Sequence, residues 1–452
     1  MNGEARACLR ITLGFAGLHA VFAALIPLIG DESYYTLWAS APDWDYYDHP
    51  PMVAWMIHVG VTVFGTTPFG VRAAALLAMG LASLAVADMA PPGLRARAAL
   101  YFNLSLLVLG VGGFATPDVP STLFWLMSTA AALRATEGQG NRWWVLAGLA
   151  AGLGIMSKFT NLFLGPGYVG WLLATAKGRA SLKSPGPWLA LVAAAVPVLP
   201  LILWNLSHHG LGYERQFSRI AEGSLTARHL LEYLALVILL PGPVIGVLAL
   251  HALRHAKPLL LWSVAPLLAY FALHALHAQV QANWLIPGSG VVAVLAAQST
   301  ANWHRWAAIT TAALSFGLLG AAFNPWQAIG TTDNPPNQTR GWPGFLAQIP
   351  ARGWIATTDY ALTGQLYVGL PGRPVWSVDD LQRYGFRGAF PPDLCTATGW
   401  LVEEASANKD HAATLFTTTG PEQRLTRIFA GKTLKSYRLR AVSGVKDPRL
   451  CP

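Results

Sequence analysis

Charge is what this chain of 452 residues has least of: Lys, Arg, Asp and Glu together make up 12% of it, against roughly 25% in an ordinary soluble protein. Hydrophobic types fill 53% and the mean hydropathy is +0.40. That shortage excludes a string of soluble domains and reads as a polytopic membrane protein. Cysteine is scarce too. Cys8, Cys395 and Cys451 are too far apart for a disulfide framework or a CxxC metal site. In an oxidising compartment Cys395 and Cys451 are free to pair while Cys8 stays reduced inside; two unpaired thiols are the alternative. The chain also lacks a Walker loop, a GxGxxG that opens a helix, a GxSxG elbow and any HExxH spacing. No cofactor and no protein-built metal site are therefore expected. The net charge of +9 is scattered between apolar runs, and no basic cluster accompanies a recognition helix, which argues against a nucleic-acid partner.

What is present is a series of apolar windows from residue 11 to about 323. Alternate connections carry the basic residues: Arg6 and Arg10, Arg95 and Arg97, Arg134 and Arg142, Lys177, Arg179 and Lys183, Arg254 and Lys257, then Arg305. The positive-inside rule puts these in the cytoplasm. Segments 30–68, 115–120, 157–160, 204–229 and 277–284 then face outward, giving about eleven transmembrane helices and an external C-terminal domain. The first span has a second reading as a signal peptide, although its apolar stretch is long for one. Residues 52–66 are apolar but short, and are expected to lie along the outer leaflet as an interfacial helix.

Composition changes near residue 324 to NPWQAIGTTDNPPNQTRGWPG, a linker sequence over 324–341. Residues 342–452 mix β-rich pieces (WIATTD, RPVWSV, GWLVEE, KSYRLRAV) with the helical pattern YALTGQLYVG, which predicts a small α/β domain. The expected fold class is thus mainly α, with a membrane domain over 1–323, whose first outer loop is 30–68, and this external domain.

Polar groups in a membrane domain are costly unless they face a cavity or a partner, and here they gather on the outer side. Asp31 and Glu32 stand at the outer end of the first span. One carboxylate there can act as a general base, or the pair can simply cap the following helix. Tyr34, Tyr35, Trp38, Trp44, Tyr46 and Tyr47 fit an interfacial belt or a surface that stacks on sugars. Asp48 and His49 precede Pro50 and Pro51, which fix a turn. Asp118 lies in a short loop at membrane depth and calls for a cationic or hydroxyl partner. Lys158 breaks the charge rule by lying outside, where it suits a phosphate, or snorkels to the interface. Asn205, His208 and His209, with Arg215, Arg219 and Arg228, form a second group of donors or a solvated loop.

Taken in order, DESYYTLWA, YYDHPPMVAWMI, FGVRAAALL, TPDVPSTLFW, GLGIMSKFTNLFLGPG, LILWNLSHHG, QANWLIPG and LPGRPVWSVDD resemble the GT-C membrane glycosyltransferases. The likeness is to their bacterial branch, related to protein mannosyltransferases and aminoarabinose transferases that use polyprenyl-phosphate sugars. The resemblance implies Asp31 as base with Glu32 completing the acidic pair, and Lys158 as holder of the donor phosphate. It extends more weakly to Arg215 and Arg219, because GLGYERQFSRI departs from the family pattern. Tyr34, Tyr35, Asp48, His49, Asp118, Asn205, His209, Gln281, Asn283 and Trp284 are its implied substrate-binding residues. The implied activity is inverting transfer of a sugar to a hydroxyl or phosphate on a glycolipid such as lipid A, a polysaccharide or a protein. It would take place at the periplasmic face of a bacterial inner membrane, without a metal ion. A polytopic transporter or lipid-linked sugar flippase is the competing reading; against it, the halves share no repeat and the polar residues crowd one face.

Overall fold

The computed structural model describes residues 3–218, 227–328, 330, 334–406 and 411–452. Helices dominate, and the chain divides into two compact units. The first comprises Met1–Ala23, Asp48–Met56 and Arg72–Leu319; the second comprises Ala24–Tyr47, Ile57–Val71 and Gly320–Pro452.

In the first unit, length and apolar composition suit three described helices for crossing a bilayer: Gly3–Leu25, Pro68–Met89 and Gly186–Ser207. The pair Ala227–Leu239 and Pro243–His255, bent by 86°, makes a fourth if it is one broken span. Helix Gly186–Ser207 exposes Leu191, Val192, Val196 and Leu203, a face suited to lipid rather than water. Other apolar stretches are cut by residues that leave helical geometry. Ser105, with ψ at 136°, separates Arg95–Leu104 from Leu106–Val111 and caps the second helix by accepting from the Val108 amide at 3.2 Å. The stretch read as an interfacial helix forms Met52–Phe64, of 13 residues. At 1.5 Å per residue it is only about 20 Å long, short of a bilayer core of roughly 30 Å.

Helix Asn141–Ile155 packs against both Asp118–Thr136 and Gly186–Ser207. Gly148 and Gly152 permit the second of these contacts, because a Cβ there would stand 2.0 Å from the Ala190 carbonyl oxygen and 2.3 Å from that of Ala194. Small residues four apart let two backbones meet. This fixes the end of the helix and the chain beyond it. Lys158 is extended (φ −161°, ψ 136°) and leads into the 3-10 turn Phe159–Phe163.

The second unit holds a six-stranded sheet built from β1 (Trp354–Thr357), β2 (Val375–Ser377), β3 (Gly399–Glu404), β4 (Phe416–Thr419), β5 (Gln423–Phe429) and β6 (Lys432–Val445). The order is β2-β1-β3-β6-β4, with β5 also paired to β6. β1 runs parallel to β2 and β3, whereas β3, β4 and β5 are antiparallel to β6. Period-two alternation sends Ile355, Val402 and Leu439 to one core, with Phe345, Leu362 and Leu366. Trp354, Leu401 and Val442 go to the other, with Phe390 and Phe416. Helix Tyr360–Gly369 supplies the first core's Leu362 and Leu366. β4 and β5 carry no strand signal in the sequence: β4 exposes three of its four residues, and QRLTRIF interrupts its apolar positions with two arginines. A disulfide joins Cys395 to Cys451, 56 residues on.

Helix Gly30–Ala39 belongs to this second unit and packs on Tyr360–Gly369. Glycines set the spacing. A Cβ on Gly364 would lie 2.4 Å from the Tyr34 amide nitrogen, and one on Gly30 2.7 Å from the Ala361 Cβ.

Candidate functional site

Each unit gathers its own set of the polar residues singled out above. In the first, Asp118 opens helix Asp118–Thr136, where the positive end of the helix dipole favours a carboxylate. Its Oδ1 accepts from Lys158 Nζ at 2.6 Å and its Oδ2 from Asn283 Nδ2 at 2.9 Å. Asp118 is 5% exposed and Lys158 8%. The buried acid thus has a cationic partner, as the sequence reading expects, and the unusual lysine is that partner. Removing two charges from water costs several kcal/mol per ion, repaid only by close geometry and further hydrogen bonds; the Asn283 amide adds one such bond. Beside the pair, Asn161 Nδ2 donates to Ser121 Oγ at 2.5 Å, and the buried Asn161 Oδ1 has no hydrogen-bond partner among the described residues.

The remaining candidates of this unit are arranged differently. Asp48 is buried and lies 3.7 Å from Arg215 Nε, an ion pair longer than a hydrogen bond. His49 is half-buried in the same turn. Asn205 is buried and bonds within its own neighbourhood: it donates to the Leu201 carbonyl at 3.1 Å and accepts from the Gly212 amide at 3.2 Å. It therefore latches the end of one helix to the start of the next. His209 is exposed, with a left-handed φ of 55°, and Gly210 follows at 74°. Trp284 stacks on Phe271 at 5.3 Å, while Gln281 is exposed. Arg219 lies outside the described residues.

In the second unit, Asp31 and Glu32 occupy the first turn of Gly30–Ala39 and have separate fates. Glu32 is fully buried, and its carboxylate accepts from the Ile29 amide at 3.1 Å, the return half of a capping box. Asp31 is only half-buried, and its Oδ1 accepts from the Tyr360 hydroxyl at 3.1 Å. The tyrosines next to them are packed inward, Tyr34 at 1% exposure and Tyr35 at 5%. Tyr34 meets Trp38, Tyr360 and Tyr384 edge-on at 4.9 to 6.1 Å. Trp38 stacks flat on Tyr46 at 4.4 Å, and burial pushes the Tyr46 phenol well above its usual range.

Arg383 is a participant that the sequence reading does not single out. Its Nε donates to Asp380 Oδ2 at 2.8 Å, and its guanidinium lies 4.9, 5.3 and 5.7 Å from the rings of Tyr360, Tyr47 and Tyr34. The clue was local: Arg383 follows the second aspartate of the SVDD motif by three residues. Nearby, burial brings the Arg387 guanidinium down to about 10 as it lies 3.8 Å over the Trp376 ring. Among the described residues, no three His, Cys, Asp or Glu side chains converge as a metal-holding group.

Comparison with known proteins follows the same lines. Residues 48–204 match the family described as dolichyl-phosphate-mannose-protein mannosyltransferase. Lipid A galacturonosyltransferase RgtD of Rhizobium johnstonii is 27% identical over 276 residues, covering 57% of this chain and 57% of its own length. An undecaprenyl phosphate-alpha-4-amino-4-deoxy-L-arabinose arabinosyl transferase of Pseudomonas aeruginosa is 31% identical over 264 residues, covering 50% of this chain and 46% of its own. The chain thus spans about half the length of these curated relatives. Over 96% of this chain and 97% of the other, the fold is similar to ArnT from Cupriavidus metallidurans bound to undecaprenyl phosphate, with a TM-score of 0.65 at 15% identity. The ordered motifs, these relatives and that shared fold agree: over part of its length the chain is similar to membrane glycosyltransferases of the mannosyltransferase and aminoarabinose-transferase type, and its fold is that of ArnT.

Proposed function

We propose that this protein is an inverting glycosyltransferase that moves a sugar from a polyprenyl-phosphate donor to a hydroxyl or phosphate acceptor at the periplasmic face of the inner membrane. The observation that carries the reading is the buried Lys158, held by Asp118, whose other oxygen accepts from Asn283. An ammonium has three donors; Asp118 takes one and leaves the charge oriented. Pairing keeps the site neutral when empty. The phosphodiester of an arriving donor then shares the ammonium with Asp118 and gains charge-assisted hydrogen bonds that strengthen as the departing phosphate monoester takes up negative charge. In this reading the fixed ammonium does the work that a divalent ion does for nucleotide donors, and transfer is metal-independent.

Asp31 is the proposed base. Its carboxylate takes the proton of the acceptor hydroxyl as the oxygen attacks the anomeric carbon. The bond to the donor phosphate breaks in the same displacement, so configuration inverts, and the polyprenyl phosphate leaves with the electron pair. Glu32 fixes the helix that presents Asp31, since its carboxylate caps that helix. Asp48 with Arg215, and Asn205, shape the outer loops, while His49, His209, Gln281 and Trp284 are proposed to contact substrate. About eleven spans, with the C-terminal domain in the periplasm, complete the topology. The names of the relatives direct the choice of acceptor to lipid A, and of sugar to galacturonate or 4-amino-4-deoxy-L-arabinose.

The test is reconstitution of the full chain with lipid A and either undecaprenyl-phosphate sugar, with EDTA in a parallel sample. Transfer with inversion, undiminished by EDTA and abolished in Asp31→Asn, is the expected result. Absence of transfer by the wild type with both sugars would overturn this choice of substrates, and full activity of Asp31→Asn would remove the base.

A further inference from the structure

Asp31 is a half-buried carboxylate early in the chain, and the Tyr360 hydroxyl that donates to it lies 329 residues away, on the helix that follows β1. Three features fix that donor. Tyr360 opens helix Tyr360–Gly369, whose N-cap Asp359 accepts from the Leu362 amide at 2.8 Å, so its backbone is held in a capped first turn. Its ring is wedged between Tyr34, at 5.1 Å, and the Arg383 guanidinium, at 4.9 Å, and Arg383 is 9% exposed and tied to Asp380. The helix carrying Asp31 is held against the helix carrying Tyr360 by the glycine contacts at Gly30 and Gly364. The distance between carboxylate and phenol is therefore set by two packed helices rather than by loop geometry.

We infer that Tyr360 is a positioning residue for Asp31, holding the carboxylate in one rotamer by its hydroxyl donation while Arg383 holds the ring. This rests on the reading of Asp31 as base. A donor to a carboxylate favours the charged form, so Tyr360 keeps Asp31 ionised and aimed, ready to accept a proton. Burial first, and then the Asp31 charge, push the Tyr360 phenol well above its usual range, so it stays protonated and able to donate wherever the enzyme works. The charged groups facing that phenol are Asp31, Asp359 and Arg383. The role thereby assigns the sheet-bearing C-terminal segment a part in the reaction, and the motif that carries Arg383 a reason to exist.

The experiment follows the Asp31 carboxyl itself. Isotope-edited infrared titration of the full chain in nanodiscs, with Asp31→Asn as the blank, reads its midpoint directly. Tyr360→Phe keeps the ring and removes the donor; the midpoint is expected to rise by about one pH unit. The acid limb of kcat/KM should move upward by the same amount, and kcat at neutral pH should fall about tenfold, with undecaprenyl phosphate binding unchanged. A fluorinated tyrosine at 360 strengthens the donor without altering packing and should move the midpoint the opposite way. An Asp31 midpoint that ignores both changes overturns the inference whether or not sugar is transferred. Shifted midpoints in a wild type that transfers neither sugar would instead keep the positioning role and fault the proposed reaction.

Discussion

The two polar clusters solve opposite problems with the same residue types. Asp118 and Lys158 are both buried, and the acid accepts on both oxygens. The pair is internally neutral and closed. Asp31 is half-buried and accepts from a phenol. A closed ion pair suits a group that must be stored in an apolar setting until an anion arrives, and a half-buried carboxylate suits the proposed base.

The strongest way to break this comparison is to remove the half-buried acid. Asp31→Asn should lower transfer by a factor on the order of 10² to 10⁴ while the protein keeps its thermal stability, measured by transfer assay and by melting in the same detergent. The buried pair should respond in the reverse sense. Lys158→Ala leaves Asp118 charged and unpaired by its ammonium, and should cost about 3–5 kcal/mol of stability together with donor binding; the double variant Lys158→Ala with Asp118→Ala should regain much of the stability but none of the binding. Smaller still, Asn283→Ala removes one of the two donors to Asp118 and should cost about 1–3 kcal/mol, read as a lowered melting temperature. For the second unit, Gly364→Ala forces a Cβ against the Tyr34 backbone and should cost about 1–3 kcal/mol by overpacking. Its sharper readout is the Asp31 midpoint, which should drift toward that of Tyr360→Phe as the two helices part.

Much of the second unit's sheet was legible locally. WIATTD, RPVWSV, GWLVEE and KSYRLRAV each contain an observed strand, and YALTGQLYVG is the observed helix Tyr360–Gly369. β4 and β5 were not, because they pair through β6 while showing water most of their side chains, and an edge strand needs little apolar signal. The site was legible unevenly. Asp118 demanded a partner by its depth and Lys158 drew notice by its side of the membrane, yet their pairing spans 40 residues and the Asn283 contact 165. The aromatic residues after Asp31 read equally as belt or stacking surface. Their burial against Tyr360 and Tyr384 depends on a helix more than 300 residues later, which no local pattern announces.

By itself the sequence pointed to the membrane class, from the scarcity of charge, and to a likeness with polyprenyl-phosphate sugar transferases, from ordered motifs, a likeness that relatives 31% identical over half the chain share. Only the tertiary structure decided which carboxylate is a cap, which is locked in a buried ion pair and which meets a phenol. Glu32 and Asp31 are neighbours with the same charge, and a capping bond to Ile29 and a phenol 329 residues away separate them. The physical reason is that a carboxylate's chemistry is set by its burial and its donors, and both come from whatever the fold packs against it.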